Sequence, residues 1–226
     1  MVRDLSAARQ HEKAFFLSVS HELKTPLTAI RGYAEALADG TERRAEHAGI
    51  VMLGESQRLE RLVQDLLDLG RLEAGEFSID PRDADLSEVG LAVVDALQPA
   101  AKQVGVSLEL STDGPAVVHT DPDRVHQMVA NLVENAIRVT PEKKKVLVEI
   151  HDGGLAVADS GPGLDPEDFD HAFERFYLWR KYRGERPVGS GLGLAIVGEL
   201  AQRMGIVLDV SSDGQGSRFE LAFPDA

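Results

Sequence analysis

The chain contains no cysteine among its 226 residues. This absence excludes disulfides, thiolate metal sites and a cysteine nucleophile, and it fits a reducing interior. The chain also lacks any run of about 18 apolar residues, and no secretory-signal pattern opens it. We therefore expect this part of the chain to be soluble and to make no membrane contact of its own.

Positive charge is scarce. The chain has 24 lysine and arginine residues and 38 aspartate and glutamate residues, which gives a formal net charge of −14. A chain this acidic repels the phosphates of DNA and RNA, so nonspecific nucleic-acid binding is disfavoured. The length still allows one or two domains with cores of their own. No nucleic-acid partner is expected.

Two long amphipathic helices are predicted at the N-terminal end, from about Asp4 to Ala38 and from about Glu42 to Glu73. A hairpin of two helices has too narrow an apolar stripe to bury itself completely. A second copy would cover the remainder, so we predict a homodimeric four-helix bundle; packing of the hairpin on its own downstream domain is the alternative. The predicted apolar seam comprises Phe16, Val19, Leu23, Leu27, Ile30, Ala34 and Leu37 in the first helix, and Ile50, Leu53, Leu59, Leu62, Leu66, Leu69 and Leu72 in the second.

A histidine and a carboxylate stand side by side on the first of these helices. His21 lies two residues from both Val19 and Leu23, so at about 100° per residue it projects roughly opposite the seam and faces water. An exposed imidazole is largely neutral at pH 7 and keeps a lone pair for attack. Glu22 can reach the ring, fix its tautomer and take up its proton, and Thr25 shares the face of His21. His-Glu alone is more typical of an ordinary surface histidine on a bundle helix.

Beyond Ala74-Gly75-Glu76 the pattern becomes mixed, and we place a domain boundary there, between residues 1–76 and 77–226. Short strands alternate with helices, and Phe77-Ser78-Ile79 is typical of a linker or a first short strand. Strands paired as hairpins with helices gathered on one face give an α/β sandwich of the α+β class. The predicted helices span residues 86–104, 123–139 and 192–204, and the predicted strands 106–110, 116–119, 146–151, 155–158, 207–211 and 219–223.

The helix over residues 123–139 carries a polar cluster opposite its apolar stripe. Asn131, Glu134, Asn135 and Arg138 fall on neighbouring positions of that side. Amide and carboxylate oxygens suit Mg²⁺, which is commonly shared with phosphates, and a guanidinium pairs with phosphate oxygens. Taken alone, the cluster is equally the ordinary polar face of a helix.

Two glycine-rich segments follow. Asp159-Ser160-Gly161-Pro162-Gly163 places a carboxylate at a strand end, where it can accept a hydrogen bond from the amino group of adenine, although the segment is also a good turn. Gly189-Ser190-Gly191-Leu192-Gly193-Leu194 precedes a helix, so its backbone N–H groups can hold phosphate oxygens. It lacks the Gly-Lys-Ser/Thr of a P-loop and does not stand in a βαβ unit with a downstream acid. Neither a Walker ATPase nor a Rossmann dehydrogenase fits.

In their order along the chain, these motifs resemble those of bacterial two-component sensor histidine kinases. Ser20-His21-Glu22-Leu23-Lys24-Thr25-Pro26-Leu27 resembles the H-box, and the three clusters resemble the N-, G1- and G2-boxes of the Bergerat ATP-binding fold. Phe173-Glu174-Arg175-Phe176-Tyr177 resembles the F-box, and Gly214-Gln215-Gly216-Ser217-Arg218-Phe219 resembles the closing strand. The resemblance covers nearly the whole chain and implies a dimerisation and phosphotransfer hairpin followed by a catalytic domain.

The resemblance implies that the chain is an ATP-dependent protein-histidine kinase. His21 would accept the γ-phosphoryl of ATP, Glu22 would act as general base, and Thr25 would position water when a regulator is dephosphorylated. The phosphoryl group would then pass to an aspartate in the receiver domain of a response regulator. Two rival functions stay open: a nucleotide-sensing scaffold, and a Bergerat-fold ATPase without histidine phosphorylation.

The resemblance also assigns the nucleotide site, with ATP and Mg²⁺ as the implied ligands. Asn135 and Glu134 would arrange the metal ion, Asn131 and Arg138 would lie near the phosphates, and Asp159 would bind adenine. The supporting backbone would come from Gly161, Gly163, Gly189, Gly191, Gly193 and Leu194.

One departure from the family pattern concerns the lid over residues 178–188, which is unusually basic and holds the only tryptophan, Trp179. Its cations are expected to meet phosphates or the acidic bundle, with a mobile solvated loop as the alternative. The family further implies a cytoplasmic fragment of a parent anchored in the inner or plasma membrane. It also implies a catalytic domain that swings, with Pro26 and the Gly75 region as its flexing points.

Overall fold

A computed structural model describes residues 2–42, 44–75, 78–185, 187 and 189–224, without the side chains of residues 2–14 and 73. The chain forms two compact units, divided between Gly70 and Arg71. Among the described residues, no helix is both long and apolar enough to span a bilayer.

The first unit is a pair of long helices, α1 (Val2–Ala38) and α2 (Ala45–Ala74), of which the last turn of α2 belongs to the second unit. The second helix begins later than the sequence predicts, because the residues before it form a turn of their own. Thr41 donates its N–H to Asp39 Oδ1 (2.9 Å), and Glu42 Oε1 accepts the N–H of Arg44 (2.7 Å). Hydrogen bonds from Thr41 hold the pKa of Asp39 below its ordinary value.

Only part of the predicted seam is buried within a single chain. Leu62 and Leu69 are buried, whereas Phe16 is 59% exposed and Leu53 is 61% exposed. One helix can bury only the stripe that faces its single partner, which leaves the flanking apolar positions in water. Among the side chains of this unit that the structure describes, the large apolar ones that are exposed are Phe16, Leu17, Leu27, Ile50, Leu53, Val63 and Leu67.

The second unit contains a mixed five-stranded sheet, an antiparallel two-stranded sheet and several helices. A five-stranded sheet has the order β2-β4-β5-β7-β6, with β2 and β4 parallel and the other pairs antiparallel, and β1 pairs antiparallel with β3. The strands are β1 (Arg82–Asp85), β2 (Ser107–Thr112), β3 (Val117–Thr120), β4 (Lys145–His151), β5 (Gly154–Asp159), β6 (Val207–Ser212) and β7 (Ser217–Ala222). The helices are α3 (Leu86–Gln103), α4 (Pro122–Val139), α5 (Tyr177–Tyr182) and α6 (Gly193–Met204), with a 3₁₀ helix over Pro166–His171.

This architecture confirms the α+β class but corrects two details. The first strand is Arg82–Asp85, so the strand alternative for Phe77-Ser78-Ile79 is wrong; residues 78 and 79 form no regular structure, which fits the linker alternative, and Phe77 lies outside the described residues. The strands are also not all paired as hairpins, since β2 and β4 run parallel with β3 and α4 between them in the chain. A four-residue strand such as β1 carries no periodicity to reveal it, and its pairing partner is distant in sequence.

Helix α4 is fixed at both ends by side-chain hydrogen bonds. Asp121 is buried and its Oδ1 accepts the N–H groups of Asp123 (3.0 Å) and Arg124 (3.2 Å), while its Oδ2 accepts the N–H of Asp80 (2.9 Å). At the other end, Thr140 Oγ1 donates to the carbonyl of Ala136 (2.7 Å). The cap therefore also ties the start of the second unit to α4.

The core lies between the five-stranded sheet and helices α3, α4 and α6. Strand β4 alternates buried and half-buried residues, which is the pattern of a strand with one face on a core. The apolar stripe predicted for α4 is fully confirmed; its buried members include Val129, Leu132, Val133, Ala136 and Ile137.

The last turn of α2 is anchored in this core. Leu72 is fully buried among the core residues, and the guanidinium of Arg203 in α6 donates to the carbonyl of Leu72 while its Nε donates to Glu199 (2.9 Å). Gly75, an expected flexing point, therefore follows the anchored residue Leu72 in the sequence instead of preceding it.

We expect the Leu72→Ala variant to lower the free energy of unfolding of the second unit by about 2–5 kcal/mol, because it leaves a cavity in a packed core. Denaturant unfolding followed by the fluorescence of Trp179 measures this, since the only tryptophan lies in that unit. The control is Leu91→Ala on α3, where the leucine is 51% exposed. Equal losses for both variants would contradict the anchor.

Candidate active site

His21 is exposed on α1, as its position off the seam predicts. The hydroxyl of Thr25, also exposed, donates to the carbonyl oxygen of His21 (3.1 Å). Pro26 is buried in a helix that continues through it, although proline has no N–H to donate to the carbonyl of Glu22. His21 and Thr25 therefore share an exposed face on a turn with altered backbone hydrogen bonding.

Glu22 lies in a different environment from the one expected. Its side chain is buried, with 4% of the residue exposed, and its Oε2 accepts a hydrogen bond from Arg58 Nη2 of α2 (2.7 Å). Ser18 and Pro26, one turn before and after it, are buried too. Their spacing of four residues is the signal in the sequence that Glu22 faces α2, whereas Arg58 has no local signal.

The polar face of α4 lies against the glycine-rich segment at residues 189–194, the G2 segment. Asn131, Glu134, Asn135 and Arg138 are all half-buried. A Cβ added at Gly193 would lie 3.1 Å from Asn131 Oδ1, and one added at Gly189 would lie 2.5 Å from Arg138 Nη1.

A Cβ at either glycine would have to displace the α4 side chain beside it, so this close approach brings the first and third predicted clusters together. Amide and carboxylate oxygens on one half-buried helix face are a donor set that fits Mg²⁺ held jointly with phosphates.

The second predicted cluster adjoins the C-terminal end of α4. Asp159 ends β5, and its Oδ1 accepts the N–H of Gly161 (2.7 Å). A Cβ at Gly161 would lie 2.9 Å from the carbonyl oxygen of Val139, so the segment and α4 are in close contact.

Ser212 joins the second cluster to the last two strands, a link that sequence reasoning missed. Its Oγ accepts the N–H of Leu164 (3.0 Å) and donates to the carbonyl of Gly216 (2.6 Å). Gly163, with φ of +76°, leaves the space that Ser212 Oγ occupies. The closing Gly-x-Gly segment is therefore a support of the Asp159 turn.

An aromatic wall supports the G2 segment. Phe176 is buried, has a left-handed backbone (φ 59°, ψ 10°), and donates its N–H to the carbonyl of Gly191 (2.8 Å). Its ring meets that of Trp179 edge to face, with centroids 6.0 Å apart. Gly191 has φ of +76°, and a Cβ there would lie 2.8 Å from Phe176 Cδ1 and 2.9 Å from Trp179 Cβ. Helix α6 then starts at Gly193, with half-buried Leu194 in a first turn whose N–H groups suit an anion.

The expected basic lid is partly a helix, and two of its cations have partners within the same unit. Lys181 Nζ lies 2.7 Å from Asp168, 2.7 Å from Glu167 and 3.0 Å from Asp165, so it forms ion pairs with acids of its own unit.

The neighbouring Arg183 stacks over the Trp179 ring, 4.7 Å from its centre, and Trp179 itself is buried. Arg186 and Val188 lie outside the described residues. The nearest of these acids, Asp168, precedes Lys181 by 13 residues, so no local pattern pairs the acids with Lys181.

Asp168 is the centre of this cluster. It is fully buried and accepts hydrogen bonds from Lys181 and from the hydroxyl of Tyr182. Burial works to raise the pKa of Asp168, but the hydrogen bonds from Lys181 and Tyr182 outweigh it and lower that pKa. Hydrogen bonds to Asp168 and Glu167 in turn raise the pKa of Lys181.

Comparison with known proteins identifies both units. Residues 11–75 match the family "His Kinase A (phospho-acceptor) domain", and residues 120–226 match the family "Histidine kinase-, DNA gyrase B-, and HSP90-like ATPase". The chain is 30% identical to sensor protein SrrB of Staphylococcus aureus over 99% of this chain and 40% of that protein. It is 36% identical to sensor protein SphS of Synechococcus elongatus over 88% of this chain and 51% of that protein. The chain thus spans about half or less of these relatives.

Solved structures have the same fold. Histidine kinase AdeS of Acinetobacter baumannii superposes with a TM-score of 0.70 at 27% identity, covering 90% of this chain and 96% of that one. Full-length ShkA in complex with AMPPNP gives 0.65 at 29% identity, over 95% of this chain and 47% of that one. Histidine kinase ThkA, solved with response regulator TrrA, gives 0.71 at 22% identity over 99% and 66%.

We expect Gly191→Ala to weaken ATP binding about ten-fold, because a Cβ there displaces Phe176 and Trp179, and such overpacking costs about 1–3 kcal/mol. Titration calorimetry with ATP measures the change. The matched control is Gly184→Ala, which has a similar left-handed backbone (φ +91°) but no atom within 4 Å of the new Cβ. If both variants bind ATP more weakly to the same extent, backbone strain rather than contact with Phe176 and Trp179 would be responsible. Wild-type binding by Gly191→Ala would contradict the prediction.

We expect Asp168→Asn to lower the free energy of unfolding by about 1–3 kcal/mol at pH 7, because Lys181 loses its buried charged acceptor. Since the pKa of Asp168 is lowered in the folded chain, the stabilisation is present at neutral pH and disappears as the pH falls below about 4. Denaturant unfolding of both chains between pH 3 and pH 7, roughly the range of that titration, measures it.

The control for this series is Asp165→Asn, which retains a good N-cap and alters an exposed partner of Lys181. A difference between wild type and Asp168→Asn that does not change with pH would contradict the proposed charge pairing.

Proposed function

The chain belongs to the sensor histidine kinase family, and from this we propose that it is a catalytic core that transfers the γ-phosphoryl group of ATP to His21. Two features of the same chain together carry the proposal. An exposed histidine lies within the phospho-acceptor region, and the glycine segments of a nucleotide-binding fold pack on the polar face of α4. The proposed domains are residues 1–76 and 77–226.

The proposed reaction at His21 needs little covalent chemistry from the protein. A ring nitrogen of His21 attacks the γ-phosphorus, a nitrogen–phosphorus bond forms, and the bond to the bridging oxygen breaks so that ADP leaves with its electron pair. The proton on the other ring nitrogen passes to Glu22. Catalysis is then mainly positioning and neutralisation of charge.

The nucleotide roles follow the neighbourhoods described above. Asp159 binds the adenine amino group, with Gly161 and Gly163 giving the backbone room. Asn131 and Arg138 lie near the phosphates, where the guanidinium offsets negative charge. Asn135 and Glu134 would hold Mg²⁺, which supplies charge neutralisation at the phosphates when bound. The phosphate side is bounded by Gly189, Gly191, Gly193 and Leu194.

The proposed partners are a second copy of the chain and a response regulator. The exposed apolar side chains of the first unit support a homodimer, because water-exposed leucine and isoleucine side chains in helical register favour helix pairing. The phosphoryl group on His21 would pass to an aspartate of the regulator, and Thr25 would position water for its removal. ThkA was solved with such a regulator, but at its identity it shows only the fold.

The whole parent protein is proposed to be a sensor with its anchor in the inner or plasma membrane, and with this part in the cytoplasm. The relatives SrrB and SphS are named as sensor proteins, and the chain spans less than two thirds of each.

We expect incubation with γ-labelled ATP to give acid-labile, alkali-stable label on the chain. The label should be lost in His21→Gln, because the accepting nitrogen is gone, and kept in His47→Gln, which alters another exposed histidine of the first unit. Label retained in His21→Gln contradicts the proposal. ATP binding without label indicates a nucleotide-sensing scaffold, and release of phosphate without label indicates an ATPase.

A further inference from the structure

Arg58 joins the two helices of the first unit at the residue next to His21. Its Nη2 donates to Glu22 Oε2 at 2.7 Å, and the Glu22 side chain is only 5% exposed, while that of Arg58 is 34% exposed. A buried carboxylate is costly unless it is paired, and a guanidinium is a strong partner for it. Glu22 Oε2 is therefore committed to α2 rather than to the exposed side where His21 lies.

A second carboxylate adjoins the same guanidinium. Glu55 lies one turn before Arg58 on α2, and its Oε2 is 4.0 Å from Arg58 Nη1. Within the part of the chain that the structure describes, this oxygen is buried and accepts no hydrogen bond. A buried acceptor oxygen without a hydrogen bond is destabilising, and a small movement of the Arg58 guanidinium would satisfy it.

The Glu22 carboxylate has two partners to serve: Arg58 of α2, which it bonds in this structure, and the His21 ring, for which it is the proposed general base. Successive residues on a helix point about 100° apart, so rotation of the Glu22 side chain carries its carboxylate from α2 towards the His21 ring. The carboxylate that turns outwards leaves Arg58 behind, and Glu55 is at hand to receive it. One guanidinium thus stands between two carboxylates, only one of which it bonds in this structure.

We propose that Arg58 is a positioning residue that controls whether Glu22 can accept the ring N–H of His21, with Glu55 as the second partner of Arg58. The proposal rests on the function proposed for Glu22 as general base. An ion pair that only joined α1 to α2 would have no effect on the His21 ring, and this difference makes the two interpretations separable.

The test is the tautomer of His21, measured by NMR of its ring nitrogens in the full chain without nucleotide, at a pH where the imidazole is neutral. In Arg58→Gln, Glu22 is released and accepts from Nδ1–H, so the ratio of the Nδ1–H to the Nε2–H tautomer rises about ten-fold, as expected for one charge-assisted hydrogen bond. The double variant Glu22→Gln/Arg58→Gln should return to the wild-type ratio. Arg58→Lys keeps a cation beside Glu22 and should resemble wild type.

The matched control is Arg61→Gln, an exposed arginine on the next turn of α2, which should not change the ratio. An unchanged ratio in Arg58→Gln overturns the proposal, as does the same rise in Arg61→Gln or in the double variant. Thermal unfolding of each variant establishes that it is folded. Arg58→Met keeps much of the apolar stem of the side chain and removes its charge, so it takes the place of Arg58→Gln, with the same expected rise, if that variant is not folded.

Labelling of His21 tests the role of Glu55. Glu55→Gln removes the carboxylate that receives Arg58, so we expect slower labelling, by several-fold, whereas Glu60→Gln at an exposed site should label at the wild-type rate. Equal rates for both overturn the part assigned to Glu55. If no chain is labelled, the proposed kinase function fails, while the tautomer still decides the role of Arg58 because it is measured without ATP.

Discussion

Close packing of glycine backbone on helix α4 is the constraint on which the nucleotide side of the molecule depends. Gly189 and Gly193 lie directly against Arg138 and Asn131, and Gly161 lies against the last turn of the same helix. The inner stripe of α4 fills the core, while its outer face and last turn meet two glycine-rich segments that are far apart in the chain. One helix therefore aligns the three motifs, and its two fixed ends keep that alignment in register with the sheet.

Buried carboxylates recur where separate segments must be joined. Glu22 bonds Arg58 across the helical pair, Asp121 bonds the N–H of Asp80 as well as the start of α4, and Asp168 holds Lys181 and Tyr182 of α5. Each joins residues that are far apart in sequence or lie in different elements. Because an unpaired buried charge is costly, each of these contacts favours one arrangement over its alternatives.

Local patterns predicted what depends on local physics. The apolar stripe of α4 and the exposure of His21 follow from helical spacing, and both are found. The pairing of Glu22 with Arg58 and that of Lys181 with Asp168 join residues 36 and 13 positions apart, and no period in the sequence records these pairs. The short strand β1 was missed for the same reason, because its stability comes from pairing with β3 rather than from its own four residues.

The neighbouring strands β5 and β7 enclose a long excursion of the chain. Val157 pairs with Phe219, but the chain between them leaves the sheet after β5, passes through the Asp159 turn, the 3₁₀ helix, α5, the G2 segment and α6, and re-enters the sheet at β6 before β7 pairs with β5. The entropy of closing such a loop grows only slowly with its length, by about 0.6 kcal/mol per doubling. Residues can therefore be inserted or removed around Gly184, where nothing packs against the backbone, without altering the strand order. The fold thus allows the lid to change in length while the sheet stays the same.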